Sequence, residues 1–229
     1  MQGFLFACVK WILPQKNGST EEFYLSVGFL NMIISFGICI FQCKQFNLWQ
    51  SLFAEGKNPP FPLQALPLFL CQIIFMNYTL IIHNILRWAV LLFGLWTLIN
   101  ALTGVLNKRN YYGADNKASL FFMISCDVQL LLGLILYFNN AWFDKLKTNT
   151  AEVMKDGVQR FFAMEHALMM IIAWLLVHIG RSMVKRSDTD VQKHKRSLIF
   201  FGLAIVIIIA MIPWPFRQVG IARQWFPQF

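Results

Sequence analysis

The sequence predicts an all-α protein, a transmembrane bundle of four core helices with one possible extra membrane helix near the N-terminus. Three observations predict it. The 229 residues are 57% hydrophobic and only 14% charged, against about 45–50% and about 25% in a soluble domain. The apolar residues gather in blocks of about 16 to 27, and a helix needs roughly 20 to cross a hydrocarbon core of about 30 Å. The blocks lack the alternation of a barrel strand, and backbone groups in lipid must be satisfied within the segment, which leaves helices.

Residues 1–75 form an N-terminal extension with one block, Tyr24 to Cys43, long enough to span. Two readings of it stand. The block is an extra helix entering from the cytoplasm, or the gene start is over-extended and the chain begins at Met76. The block lies too far in, and lacks a small-residue cleavage site, to be a signal peptide. A second apolar run, Phe61 to Phe75, is interrupted by Pro62 and Pro67.

The core bundle is expected over residues 76–216, with a tail at 217–229. Its first span runs from Thr79 to Val105, the second from Ala118 to Phe138, the third from Phe161 to Val184 and the fourth from Ser197 to Ile212. Pro213-Trp214-Pro215 ends the last one. Gly94, Gly104, Gly133, Gly180 and Gly202 suit close helix approach in lipid. Lys and Arg concentrate in the first-to-second link (Lys108, Arg109, Lys117) and the third-to-fourth link (Arg181, Lys185, Arg186, Lys193, Lys195, Arg196). The positive-inside rule puts both links in the cytoplasm. The expected location is the inner membrane of a bacterium, crossed several times.

The net charge of +9 flanks apolar blocks, so it points to the lipid bilayer and not to nucleic acid. The five cysteines, Cys8, Cys39, Cys43, Cys71 and Cys126, form no CxxC or CxxCH. That argues against a zinc site, a thioredoxin-like site and covalent haem attachment. No GxGxxG, P-loop or GxSxG occurs, so nucleotide and hydrolase chemistry have no visible support.

Ionisable residues within membrane spans are costly and are functional candidates by default. His83 lies roughly 9 Å into the first span and His166 roughly 8 Å into the third, and both spans run in the same direction. Two imidazoles at one depth are the donor set of a bis-histidine haem, held non-covalently as haem b. Arg87, one turn beyond His83, suits a haem propionate, and Trp88 and Trp174 suit packing on its ring. The plainer reading is that each histidine reaches the interface from a helix end, with Glu165 an interfacial carboxylate.

A second group is expected nearer the cytoplasm. His178 lies roughly 18 Å below His166, and Asp127, Gln129, Asn100, Thr103 and Arg181 fall in the same half of their spans. Asp127 and His178 suit a hydrogen-bonded pair. The group reads as a proton relay, a quinone-headgroup site, a second haem ligand, or polar glue between helices. His194, within Lys193-His194-Lys195-Arg196, reads as part of a solvated basic run.

Several short motifs carry a resemblance. They are His83-Asn84-Ile85-Leu86-Arg87-Trp88, Asp115-Asn116-Lys117, Gln129-Leu130-Leu131-Leu132-Gly133-Leu134-Ile135-Leu136-Tyr137-Phe138, Met164-Glu165-His166, His178-Ile179-Gly180-Arg181-Ser182 and Ile212-Pro213-Trp214-Pro215. From Met76 to Phe216 the chain resembles small bacterial four-helix membrane proteins described as cytochrome b-like. The resemblance supports haem between the first and third spans and implies no substrate. The leading expectation is a b-type cytochrome-like subunit that carries electrons between a quinone or partner and another redox protein. A cofactor-free scaffold or accessory subunit is the alternative, and a small-solute or proton carrier using Asp127 and His178 ranks third. No nucleophile–base pair supports a stand-alone enzyme.

Overall fold

A computed structural model describes residues 66–226, with side chains from Ile74 onward. The expected Tyr24–Cys43 helix lies outside the described residues. Four long helices are joined by short elements: α1 (Leu66–Leu106), α2 (Gly113–Asn139), α3 (Trp142–Thr148), α4 (Thr150–Lys155), α5 (Gly157–Arg160), a π-helical turn (Phe161–Glu165), α6 (His166–Lys185) and α7 (Asp190–Met211). The spans Ile74–Leu106, Gly113–Asn139, Gly157–Lys185 and Asp190–Met211 are each long and apolar enough to cross a membrane. The described chain is therefore an all-α, multi-pass membrane bundle, as its composition requires.

The helices alternate in direction and form a ring. α1 packs on α2 and α7, and α6 packs on α7 and α2. That leaves α1 and α6 diagonally opposite. The α2–α6 pair is the most loosely packed of the four. Val90, Phe122, Val177, Phe201 and Ile205 form the shared core. Lipid tails are as apolar as leucine, so close packing rather than water exclusion must hold such helices together. Gly180 is a point of closest approach: a Cβ there would lie 2.5 Å from the Cβ of Phe200.

Three boundaries differ from the sequence expectation. α1 begins at Leu66 and runs unbroken through residues 75 and 76. Pro67 lies within the described helix and does not interrupt it. α2 begins at Gly113, because Asp115 accepts a bond from the Tyr112 amide at 2.8 Å and ends the link early. α7 begins at Asp190, where the Thr189 hydroxyl accepts from the Gln192 amide at 3.3 Å. The basic run 193–196 is therefore helical.

The links α1–α2 and α6–α7 make a basic end. Arg109 grips Asp115 through two bonds of 2.6 and 2.8 Å. Arg196 donates to the Met183 carbonyl at 2.7 Å and ties α7 to α6. The opposite end is aromatic. There α3–α5 and the residues after α7 fold over the helix ends. Trp88 lies 6.1 Å from Trp225 and 6.5 Å from Trp214, ring to ring.

Candidate functional site

At the aromatic end the ring of helices borders a partly open cavity of about 660 Å³, within the range of about 300–1,000 Å³ that cofactor and small-molecule sites occupy. His83 on α1 and His166 on α6 both line it. Leu80, Val90, Met170 and Ile208 give it apolar walls, and Asn84, Arg87, Gln129 and Arg223 supply polar atoms.

His83 is placed by α2. Its ring lies over Gly133, where a Cβ would come within 3.3 Å of Cε1. Gln129 Nε2 donates to the His83 carbonyl at 3.0 Å and lies 3.2 Å from His83 Nε2. A carbonyl only accepts, so that Gln129 atom is the nitrogen, and its second hydrogen meets the imidazole lone pair. This assignment puts the ring proton on Nδ1. Nδ1 and Gln129 Oε1 are buried without a partner among the described residues.

His166 is placed by the π turn and by α7. A π turn re-aims the residues that follow it, and such turns are common at functional sites. His166 Nδ1 lies 2.9 Å from the Met211 carbonyl. The carbonyl must accept, so Nδ1 bears the proton and Nε2 carries the lone pair. A backbone carbonyl fixing one imidazole nitrogen while the other is free to ligate is the usual second layer of a histidine metal site.

Arg87 is only 6% exposed. Its Nη2 donates to the carbonyls of Trp225 at 2.9 Å and Gln224 at 3.4 Å, and its Nε is buried without a partner among the described residues. Trp88 Nε1 also donates to the Trp225 carbonyl, at 3.2 Å. Residues after α7 thus border the aromatic end of the cavity, where Pro213 and Arg223 line it, an arrangement that hydropathy does not foretell. Of four buried polar side-chain atoms without partners among the described residues, three belong to cavity residues; the fourth is His194 Nδ1. Among the described residues no group of three or more His, Cys, Asp or Glu is placed to hold a metal ion.

Below the cavity, Asp127 Oδ1 accepts from Trp174 Nε1 at 2.6 Å and lies 2.7 Å from His178 Nε2. Trp174 and His178 are four residues apart on α6, so both present to one carboxylate. His178 is bound into this group and is not among the cavity-lining residues.

The expected second cluster is not one cluster. Gln129 belongs to His83. Arg181 donates to Ser119 Oγ at 2.7 Å and to the Asn116 carbonyl at 3.2 Å. The Asn100 carbonyl accepts from Arg109 and from the Thr103 hydroxyl, both at 3.1 Å. The reason is azimuth: two residues along a helix turn through roughly 200°, so Asp127 and Gln129 face different neighbours.

His194 is also corrected. It is 0% exposed, not solvated. Its ring lies against α1, where a Cβ on Gly104 would be 2.2 Å from Nδ1. Tyr111 packs on it at 5.2 Å, and burial pushes the Tyr111 hydroxyl above its ordinary pKa. A helix that crosses another at a glycine can bury a histidine inside a basic run, because the flanking lysines point elsewhere.

Glu165 pairs with Arg160 at 2.8 Å, both side chains 42% exposed. It takes no part in the cavity. Comparison with protein-family models, with curated proteins and with solved structures returns no match.

Proposed function

We propose that the protein is a membrane-embedded, b-type cytochrome-like electron-transfer subunit, holding haem b non-covalently between α1 and α6. The observation that carries the reading is one cavity of about 660 Å³ lined by both His83 and His166 and by three polar atoms that lack partners among the described residues. A bare metal wants about four protein ligands. Two imidazoles suffice where a macrocycle provides the rest.

When bound, haem supplies one-electron chemistry; the chain supplies the donors and the enclosure. His166 Nε2 has its lone pair free, with Met211 holding the other nitrogen at 2.9 Å. His83 Nε2 offers a lone pair that Gln129 meets only at 3.2 Å, and Gln129 keeps its 3.0 Å bond to the His83 carbonyl when that contact is given up. Arg87 and Arg223 place guanidinium groups at the aromatic end, where carboxylates of a bound group would be matched. Trp88, Trp214 and Trp225 keep water from that end. In this reading the basic end faces the cytoplasm of a bacterium, in its inner membrane, and electrons pass between a quinone and a redox partner protein.

The test is an absorption spectrum of protein purified from haem-replete cells, oxidised and then reduced with dithionite. A Soret band and a sharp reduced α band are expected. His83→Ala and His166→Ala should each lose them, and His194→Ala should not. A colourless wild-type protein sinks the proposal.

A cofactor-free scaffold is the second reading. The bonds from Gln129 to His83 and from Trp174 to Asp127 favour it, since both tie neighbouring helices together. It expects no colour and normal folding of His83→Ala.

A further inference from the structure

We infer that Asp127, with Trp174 and His178, is the binding site for the headgroup of a membrane-borne hydroquinone, reached through the groove between α2 and α6. The inference names the quinone component of the reading above, and does not require haem to be bound.

Asp127 stands near the midpoint of the Gly113–Asn139 span. Its side chain is 17% exposed and that of His178 is 21% exposed. Both donors meet the same carboxylate oxygen, Oδ1, at 2.6 and 2.7 Å. Oδ2 has no partner among the described residues, and it is not one of the enclosed, unsatisfied polar atoms of the bundle. At a bundle surface in the hydrocarbon layer there is no water to satisfy it. An open acceptor at that depth is expensive, and its donor must be soluble in the membrane itself.

The groove provides the way in. α2 and α6 are the most loosely packed neighbours in the ring. The cavity reaches its wall between them at Leu134 on α2 and at Leu168 and Ile171 on α6. Leu168 and Ile171 are exposed. Leu134 lies seven residues from Asp127, and Ile171 seven from His178. That spacing puts each pair on one helix face about 10 Å apart. A flat apolar ring sliding in from the bilayer therefore meets leucine and isoleucine first, then Trp174, then the carboxylate.

The chemistry of the acceptor selects the oxidation state. A hydroquinone hydroxyl donates a hydrogen bond, whereas a quinone carbonyl only accepts. With Asp127 ionised and Trp174 and His178 occupying Oδ1, Oδ2 accepts and offers nothing to a carbonyl. Asn at the same position keeps an oxygen for Trp174 and His178 and presents an N–H in place of Oδ2, which reverses the preference.

The full-length protein in lipid nanodiscs should be titrated anaerobically with a decyl-substituted benzohydroquinone and, separately, with its quinone. Tryptophan fluorescence quenching reads binding, and empty nanodiscs correct for partition. Wild type should favour the hydroquinone by at least about tenfold, the effect of one charge-assisted hydrogen bond. Asp127→Asn should favour the quinone. Equal affinities in wild type, binding of neither form, or an unchanged preference in Asp127→Asn would each overturn the inference. Should Asp127→Asn not fold, the wild-type ratio decides alone. Failure of the haem reading appears separately, as a missing reduced α band, and leaves this titration intact.

Discussion

Asp127 holds two indispensable donors on a single oxygen, and its removal is felt by both. Asp127→Ala leaves Trp174 Nε1 and His178 Nε2 without their acceptor, at 2.6 and 2.7 Å now. Losing such bonds inside a bundle costs about 1–3 kcal/mol. Thermal unfolding in detergent should show a clear drop in Tm for Asp127→Ala and a smaller one for Asp127→Asn. Equal effects would mean that shape, not hydrogen bonding, matters at this position. Residue depth is legible in a sequence because helical rise is fixed at about 1.5 Å. His83 and His166 could therefore be placed level by counting, and both do line one cavity. Azimuth is harder to read. The expected Asp127–His178 pair is present at 2.7 Å, yet nothing in the order Asp127-Val128-Gln129 says that the third side chain meets α1.

Between elements, the tightest glycine contact of the α1–α7 crossing is one complementary pair. Gly104 has no side chain, and His194 fills the space, with its ring 2.2–2.4 Å from where a Cβ would be. Gly104→Ala cannot be absorbed by moving a flexible chain end, because His194 is 0% exposed; overpacking of this kind costs about 1–3 kcal/mol. His194→Ala leaves a void in the same place and costs about 2–4 kcal/mol, by analogy with other large-to-small core changes. The double variant should cost less than the sum, since each change relieves the other. A double-mutant cycle on Tm in detergent checks this, and strict additivity would place the two residues apart. The helices themselves were legible from apolar blocks, yet their ends were not. α7 carries Lys193 and Lys195 in its first turns, a helix start that hydropathy places instead at Ser197. The α2–α6 connection shows the same limit of hydropathy, for α3, α4 and α5 are too polar to register as spans and too short to register as periodic.

At the scale of the whole molecule, the residues after α7 decide whether the aromatic end is closed. Arg87 is the point of coupling. The residue is 6% exposed, and its Nη2 donates to the carbonyls of Gln224 and Trp225, at 3.4 and 2.9 Å. A chain ending at Ile221 removes both acceptors, together with the stacking of Trp225 on Trp88 at 6.1 Å. A buried charge stripped of its partners costs about 3–5 kcal/mol where it cannot reach water. Part of that is recovered here, because losing the tail also opens the site to solvent. The truncated protein should therefore unfold at lower temperature, and its tryptophans should become more accessible to a water-soluble quencher such as iodide. Arg87→Met separates the two effects. In the full-length protein it sacrifices good bonds and should destabilise. In the truncated protein it replaces an unpaired charge by an apolar side chain and should restore part of the lost Tm without restoring the protection from iodide. Were Arg87→Met equally damaging in both backgrounds, the tail would be a passenger on the bundle. The opposite signs expected from the cycle mark the tail as the cover whose backbone carbonyls satisfy the Arg87 donors.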